Sequence, residues 1–352
     1  MHLILVLRSD FNHNPGGDVI QLRSTEAALK ERGVKVQTVT HIEEANFSDV
    51  DAIQLFNLGR PHEIMPWLHV GLPVYVFTIW VDFYEMELKA SNGIRRVMAR
   101  AFGRFGLEYV KVCARWLKGQ TRFPGWQYIF SGHRKSMQYV IDNANGLMAS
   151  TENESKRLAH FFHIQKKIVV NPLGLPSLFF NQNVETGSDI VFGGYIEPRK
   201  NVLSLIKICN KRKWTLHIYG KASLQNQAYE RKCRKEAGET IHFHGYVPQE
   251  VYAKALSKSR VVALPSWFET TGLAALEGAV MGKGVVVGNK GDTKDVFGPN
   301  ASYVDPGSEQ SIENGIEEQL TRDYQSDQRT YFSGHNFQSH CERLLNMYEQ
   351  KT

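Results

Sequence analysis

Glu269 to Val287 reads ETTGLAALEGAVMGKGVVV, and the interpretation of this stretch decides the fold. An apolar run, Val261-Val262-Ala263-Leu264, precedes it and is closed by Pro265-Ser266-Trp267-Phe268; a second apolar run, Gly284 to Val287, ends it. Short apolar runs bounded by Pro and Gly predict strand, loop, helix, strand. The loop residues Glu269-Thr270-Thr271-Gly272 open the helix at Leu273. Backbone N–H groups there have no partner within the helix, and with the positive end of its dipole they would suit an anion such as phosphate. Glu269 lies in the loop, and Glu277 falls about two turns along on roughly the same face.

Working outward, the chain of 352 residues is 42% hydrophobic and 22% charged, which excludes a disordered or fibrous protein and allows two cores. No window has the ~18 consecutive apolar residues of a membrane span. Met1 to Arg8 is too short an apolar run for a signal peptide and predicts the first strand of a cytoplasmic protein. Cys113, Cys209, Cys233 and Cys341 form no C-x-x-C pair, so reduced thiols are expected rather than disulfides or a zinc cluster. The net charge of +6 permits an anionic partner without naming it.

From His2 to Val170, strands alternate with helices: strands His2–Ser9, Lys35–Thr40, Ala52–Asn57, Pro73–Ile79 and Gly146–Ser150, and a helix Val19–Arg32. Alternation of this kind predicts a parallel sheet covered on both faces. The loop Asp10 to Asp18, with Gly16-Gly17, lets backbone approach a ligand, although it is not G-x-G-x-x-G. Asp49-Val50-Asp51 precedes a strand and reads as a solvated turn. His62-Glu63 lacks the second histidine of a zinc-protease motif. His242 and His244 share one strand face without a third ligand, so no metal site is expected. Asp82, Tyr84 and Glu85 follow a strand end and are acceptor candidates. Lys89 to Arg122 carries nine basic residues against the single acid Glu108, with Arg96, Arg100 and Arg104 in an i, i+4, i+8 row. Apolar Ile94, Val97, Met98, Ala101, Phe102 and Phe105 recur at helical spacing. Such a helix can lie on anionic headgroups or pack its apolar face on the domain. No nucleic-acid module accompanies the charge, so nucleic acid is not an expected partner. Thr151 to Glu154 reads as a capping box, and Pro172 to Asp189 as a linker. Alternation resumes with Ile190 to Tyr195, helix Val202–Lys211, and strands Thr215–Gly220, Ile241–Val247 and Arg260–Ser266.

The words around the two glutamates, PSWFETTGLAALEGAVMGKGVVV, resemble the Glu-x7-Glu signature of retaining glycosyltransferases of family 4 with the GT-B fold. Lys167 to Gly174 and the turn His244 to Pro248 are similar to that family's patterns too. The resemblance implies an α/β GT-B protein, two Rossmann-like domains facing a cleft. They are residues 1–175, with a basic helical insertion about 85–135, and residues 186–330; the helix 331–352 folds back on the first. It further implies that Glu269 is the catalytic residue, holding the donor sugar, and that Glu277 meets the ribose. Arg199 and Lys200 would grip the diphosphate with Thr270, Thr271, Gly272 and Leu273, while Gly16 and Gly17 lie across the cleft. The substrate would be a UDP- or GDP-linked sugar, with no cofactor and no metal required. The acceptor would be a glycan or a lipid-linked molecule in bacterial polysaccharide synthesis, and the anionic inner face of the membrane would meet Lys89–Arg122.

Two positions depart from the family. Gly194 or Tyr195 stands where a phosphate-binding arginine is usual, and Trp80 or Val81 where a histidine contacts the donor sugar. Loss of one charge-assisted contact weakens binding by about 1.5–3 kcal/mol unless another group compensates. Two rival readings therefore stay open: a sugar-nucleotide epimerase of similar fold, and a non-catalytic donor-binding scaffold of a glycan assembly complex.

Overall fold

The computed structural model describes residues 1–8, 17–89, 93–185, 187–322 and 327–349; Gly16 and most of the loop Asp10 to Asp18 lie outside them. The described residues divide into two compact units, Met1–Gly174 with Phe337–Thr352, and Leu175–Asn336.

The first unit is built on a six-stranded sheet: β1 (His2–Val6), β2 (Lys35–Val39), β3 (Ala52–Phe56), β4 (Val74–Phe77), β5 (Gly146–Ala149) and β6 (Ile168–Val170). Their order is β2-β1-β3-β4-β5-β6, all parallel, with Leu3 opposite both Val36 and Ala52. Every residue of β1, β4 and β5 is buried, as a sheet covered on both faces requires. The five expected strands are longer than the paired segments, by one residue at β2, β3 and β5 and by three at β4, with β1 ending at Val6, because pairing stops where the chain turns into a loop. The C-terminal helix Phe337–Glu349 belongs to this unit, where Tyr348 Oη donates to Gln54 Oε1 at 2.6 Å and Asn171 Nδ2 to the His340 carbonyl at 3.1 Å. Residues 331–336, which the sequence reading joined to that helix, stay with the second unit.

The second unit holds β7 (Ile190–Gly193), β8 (Leu216–Tyr219), β9 (Ile241–Gly245), β10 (Val261–Leu264), β11 (Gly284–Gly288) and β12 (Ser302–Val304). The order is β12-β11-β10-β7-β8-β9. The chain starts at the centre with β7, steps outward to β9, and returns to lay β10 on the other side of β7. Val261 consequently pairs with Ile190 on one side and Gly284 on the other. In open parallel sheets, ligands settle beyond the carboxyl ends of the strands at such a reversal, here between β7 and β10. Part of the expected linker is structured: helix Ser177–Phe180 drives Phe179 fully into this unit's core.

Between β4 and β5 runs the insertion, made of helices Tyr84–Lys89, Gly93–Leu117 and Trp126–Asn143. Gly103, at φ 65° and ψ −175°, breaks the second of them, so the expected arginine row ends at Arg100. Beyond the break Arg104 turns inward to pair with Asp82. Lys111 bridges Glu87 and Glu108, each at 2.9 Å, so the acids that balance this region come partly from its flanks. Trp80 stacks on Phe105, with centroids 6.2 Å apart, and anchors the insertion to the sheet. Among the described residues no helix is long and apolar enough to cross a membrane.

Candidate functional site

At the reversal of the second sheet, two loops converge: the one after β7, Gly194 to Lys200, and the one after β10, Pro265 to Gly272. Lys200 Nζ lies 2.6 Å from Glu269 Oε1, and both side chains are largely buried. Arg199 Nη1 donates to the same oxygen at 3.3 Å and to the Phe268 carbonyl at 2.8 Å, while its Nε and Nη2 reach Glu197 at 3.0 and 2.8 Å. The main chain locks the loops as well, Trp267 N–H donating to the Arg199 carbonyl at 2.8 Å. Burial opposes ionisation of Glu269, but Lys200 and then Arg199 outweigh it and hold the carboxyl below its ordinary range. Burial lowers the Lys200 ammonium, and burial likewise opposes Arg199, which Glu269 and Glu197 nevertheless lift above its ordinary value. The cluster is therefore an ionised carboxylate between two cations.

Gly272, at φ 71°, caps the helix Leu273–Val280. The first helical carbonyl acceptor is that of Gly272, taken by Ala275 and Leu276, which leaves the Leu273 and Ala274 amides without a described acceptor. Thr270, Thr271 and Gly272 lead into these open amides. Glu277 sits further along the helix with no described hydrogen-bond partner, and burial pushes its pKa up to about 8. Two buried hydroxyl oxygens nearby in the chain's wall, Tyr252 Oη and Thr271 Oγ1, are also unpartnered. A Cβ on Gly193 would stand 2.3 Å from Tyr252 Oη and 3.1 Å from Ala274 Cβ, so only glycine fits the strand end against this helix. Unfilled donors and acceptors in such number suit a ligand rich in hydroxyls and phosphate oxygens.

Glu269 has a support that the sequence reading missed. Its carbonyl accepts from Asp292 N–H at 2.8 Å, and it forms a bridge with Gly291 in the loop after β11. The contact is between main chains, so no side-chain motif announces it; only the positive φ of Gly291, 84°, marks the place.

Other expected residues lie in the first unit. Gly17 opens the helix Gly17–Glu31. Asp82 is tied to Arg104 and accepts from Tyr84 N–H at 3.0 Å; the Arg104 guanidinium lies 5.0 Å over the Tyr84 ring; Glu85 pairs with Lys89 at 2.8 Å. Trp80 is 5% exposed, and its indole is packed against phenylalanines rather than offered to a sugar. Thr151 caps its helix as expected, but the Glu154 carboxylate does not return to it. It accepts instead from Thr78 Oγ1 and Trp80 N–H, both at 2.6 Å, and from Ser150 N–H and Oγ. His244 meets a third histidine, His217 on β8, with Nε2 2.9 Å from its Nδ1, and stacks on Tyr219. No group of three or more ligating side chains among the described residues is arranged to hold a metal.

Residues 177–334 match the family model described as glycosyl transferases group 1. No curated protein matches the chain in sequence. Among solved structures, a sucrose-phosphate synthase from Thermosynechococcus elongatus superposes with TM-score 0.72 at 14% identity, covering 100% of this chain and 99% of its own. AviGT4, a glycosyltransferase involved in avilamycin A biosynthesis, gives 0.63 at 15% identity over 100% and 98%. Anabaena HepE in complex with UDP gives 0.61 at 15% identity over 99% and 100%. At these identities the likeness establishes the fold: an α/β protein of the GT-B type, its two parallel six-stranded sheets each covered by helices.

Proposed function

We propose that this chain is a retaining glycosyltransferase, moving a sugar from a nucleotide-sugar donor to a glycan or lipid-linked acceptor in bacterial polysaccharide synthesis. The observation that carries the proposal is the buried Lys200–Glu269 pair beside the unpaired amides of Leu273 and Ala274, at the reversal of a doubly wound sheet. The family match over 177–334 and the fold neighbour HepE, solved with UDP and also with UDP and glucose, support it.

In this reading, charge develops on the departing phosphate oxygens as the glycosyl–diphosphate bond breaks. The helix amides and Lys200, which keeps two of its three N–H donors beyond the one on Glu269, take up that charge. Glu269, held ionised, accepts hydrogen bonds from the donor sugar and supports the oxocarbenium-like carbon. Glu277 accepts from the ribose. Arg199 has its donors on Glu197, Phe268 and Glu269, so its part is to orient Glu269, not to replace the absent phosphate arginine. The leaving phosphate helps deprotonate the acceptor on the same face, and no metal is needed for these steps. Tyr84 and Glu85 are the acceptor-side groups of the first unit, Asp82 being held by Arg104. The basic surface Lys89–Arg122 is proposed to face an anionic membrane on its cytoplasmic side.

A thermal-shift panel of UDP, GDP, ADP and their sugar conjugates tests the donor site, since a ligand of the native state raises the melting temperature. One nucleotide class should shift the wild type and fail to shift Lys200→Ala and Glu277→Ala. No shift with any nucleotide sinks the proposal. A shift without sugar transfer to any acceptor favours the scaffold reading, and interconversion of donor sugars the epimerase.

A further inference from the structure

The first ten residues of the helix Gly93–Leu117, up to the break at Gly103, are oriented opposite to an ordinary surface helix. At about 100° per residue, Ile94, Val97, Met98, Ala101 and Phe102 fall within an arc about 140° wide, and Arg95, Arg96 and Arg100 lie outside it. Such a stripe normally faces the core. Here Ala99, on the opposite side, is the fully buried residue of the segment, while Ile94 is 76%, Val97 64% and Phe102 53% exposed. Of the apolar set named from the sequence, Phe105 beyond the break packs on Trp80 and Met98 is half-buried, but Ile94, Val97 and Phe102 face solvent.

A second exposed apolar group stands at the turn between this helix and Trp126–Asn143. Phe123, Trp126 and Phe130 form a ladder with ring centroids 5.1 and 6.0 Å apart, and Trp126 and Phe130 are 66% and 83% exposed. Lys118 and Arg122 are exposed beside it. Aromatic rings with arginine and lysine at their margins match the boundary between lipid headgroups and acyl chains, where the rings enter and the cations meet lipid phosphates. Two of the cations near these margins are shared with acids, Arg122 with Glu43 and Lys89 with Glu85, in exposed pairs weak enough for lipid phosphates to replace.

We infer that Gly93–Phe102 is an in-plane anchor that inserts its apolar stripe into an anionic lipid surface, with Phe123, Trp126 and Phe130 as a second point of insertion. The inference rests on the membrane partnership proposed above and deepens it: apolar burial, not charge alone, holds the protein on the bilayer.

Cosedimentation with vesicles of phosphatidylcholine, with and without phosphatidylglycerol, tests it. Wild type should bind the anionic vesicles, shift its tryptophan emission to the blue, and keep part of its binding at about 0.5 M salt, where charge attraction reaches only about 4 Å. Ile94→Asp/Val97→Asp should lower partitioning by about tenfold or more at an unchanged melting temperature, because both side chains are exposed in the free protein. Trp126→Ser should remove the emission shift. Binding abolished by salt and indifferent to Ile94→Asp/Val97→Asp overturns insertion while leaving the charged contact; binding to neither vesicle overturns both. Concentration-dependent dimers lost in Ile94→Asp/Val97→Asp would assign the stripe to a second copy and overturn the inference. The nucleotide thermal shift of the same variant is independent of these outcomes and reports on the donor site alone.

Discussion

Lys200 Nζ and Glu269 Oε1 lie 2.6 Å apart, and both cations of the loop after β7 converge on that one carboxylate oxygen. A carboxylate this deep keeps its charge because the two cations outweigh burial; it balances Lys200, while Arg199 shares it and has Glu197 as a second partner. Removing one member strands the others.

Glu269→Gln should therefore destabilise the fold by about 3 kcal/mol, the usual cost of leaving buried charge without its partner. Lys200→Ala should cost less, because Arg199 remains on Glu269. The double variant Lys200→Ala/Glu269→Gln should be more stable than the sum of the single changes by about 1–3 kcal/mol. Urea unfolding of all four forms measures this coupling; additive effects would show that the pair is not a unit.

Glu277 gives a pH signature. Its folded pKa is raised from 4.5 to about 8 by burial, so between those values the folded chain binds more protons than the unfolded one. Stability must then fall as pH rises through that window. Glu277→Gln should flatten this slope and gain about 2 kcal/mol over wild type near pH 8, allowing for its partial exposure. If a ribose donates to the carboxylate, the ionised form is favoured, and nucleotide binding should release a proton near neutral pH. Calorimetry in buffers of different ionisation enthalpy detects that release, and its absence would remove Glu277 from the ligand.

Glu154 anchors the loop that leads from β4 into the insertion. Its buried carboxylate accepts from Thr78, Trp80 and Ser150, so Glu154→Gln, which replaces one acceptor oxygen by a donor, should cost about 2–3 kcal/mol. Glu154→Asp keeps the charge but cannot reach both strands' loops. Melting temperatures of the two variants should both fall, while the nucleotide thermal shift of the second unit persists.

The legible part of the fold was set by continuous apolar runs. Parallel strands buried on both faces must be apolar throughout, and Val261 to Leu264 or Gly284 to Val287 announce themselves. β12 did not, because three residues, Ser302-Tyr303-Val304, offer no period. In the candidate site, Glu269 and the helix start stand out by residue type and spacing along one chain segment, and Lys200 by its place at the end of the loop after β7, whereas their 2.6 Å pairing is a contact between distant segments. What escaped depends on contacts between distant segments: Arg104 turning to Asp82 behind Gly103, His217 meeting His244 across two strands, and the Asp292 amide on the Glu269 carbonyl. The stripe of Ile94, Val97 and Phe102 was visible as a pattern, but the side on which it faces is a property of packing.

Gly291 provides the sharpest test of that main-chain support. It combines φ 84° with a close approach: a Cβ there would stand 2.1 Å from the Glu269 carbonyl oxygen and 3.0 Å from its backbone nitrogen. The atoms it would strike are backbone, which cannot rotate away, so Gly291→Ala must move the strand-end loop that carries Glu269. Gly33 supplies the control, with φ 76° and nothing within 4 Å of the added atom. Gly33→Ala incurs only the left-handed backbone penalty of about 1–2 kcal/mol. Gly291→Ala should lose about 3 kcal/mol or more and, because Glu269 and Lys200 shift together, lower nucleotide affinity by about tenfold beyond any effect of Gly33→Ala. Urea unfolding with nucleotide titration of the folded fraction separates the two losses. If Gly291→Ala unfolds like Gly33→Ala and binds nucleotide like wild type, the loop after β11 does not position Glu269.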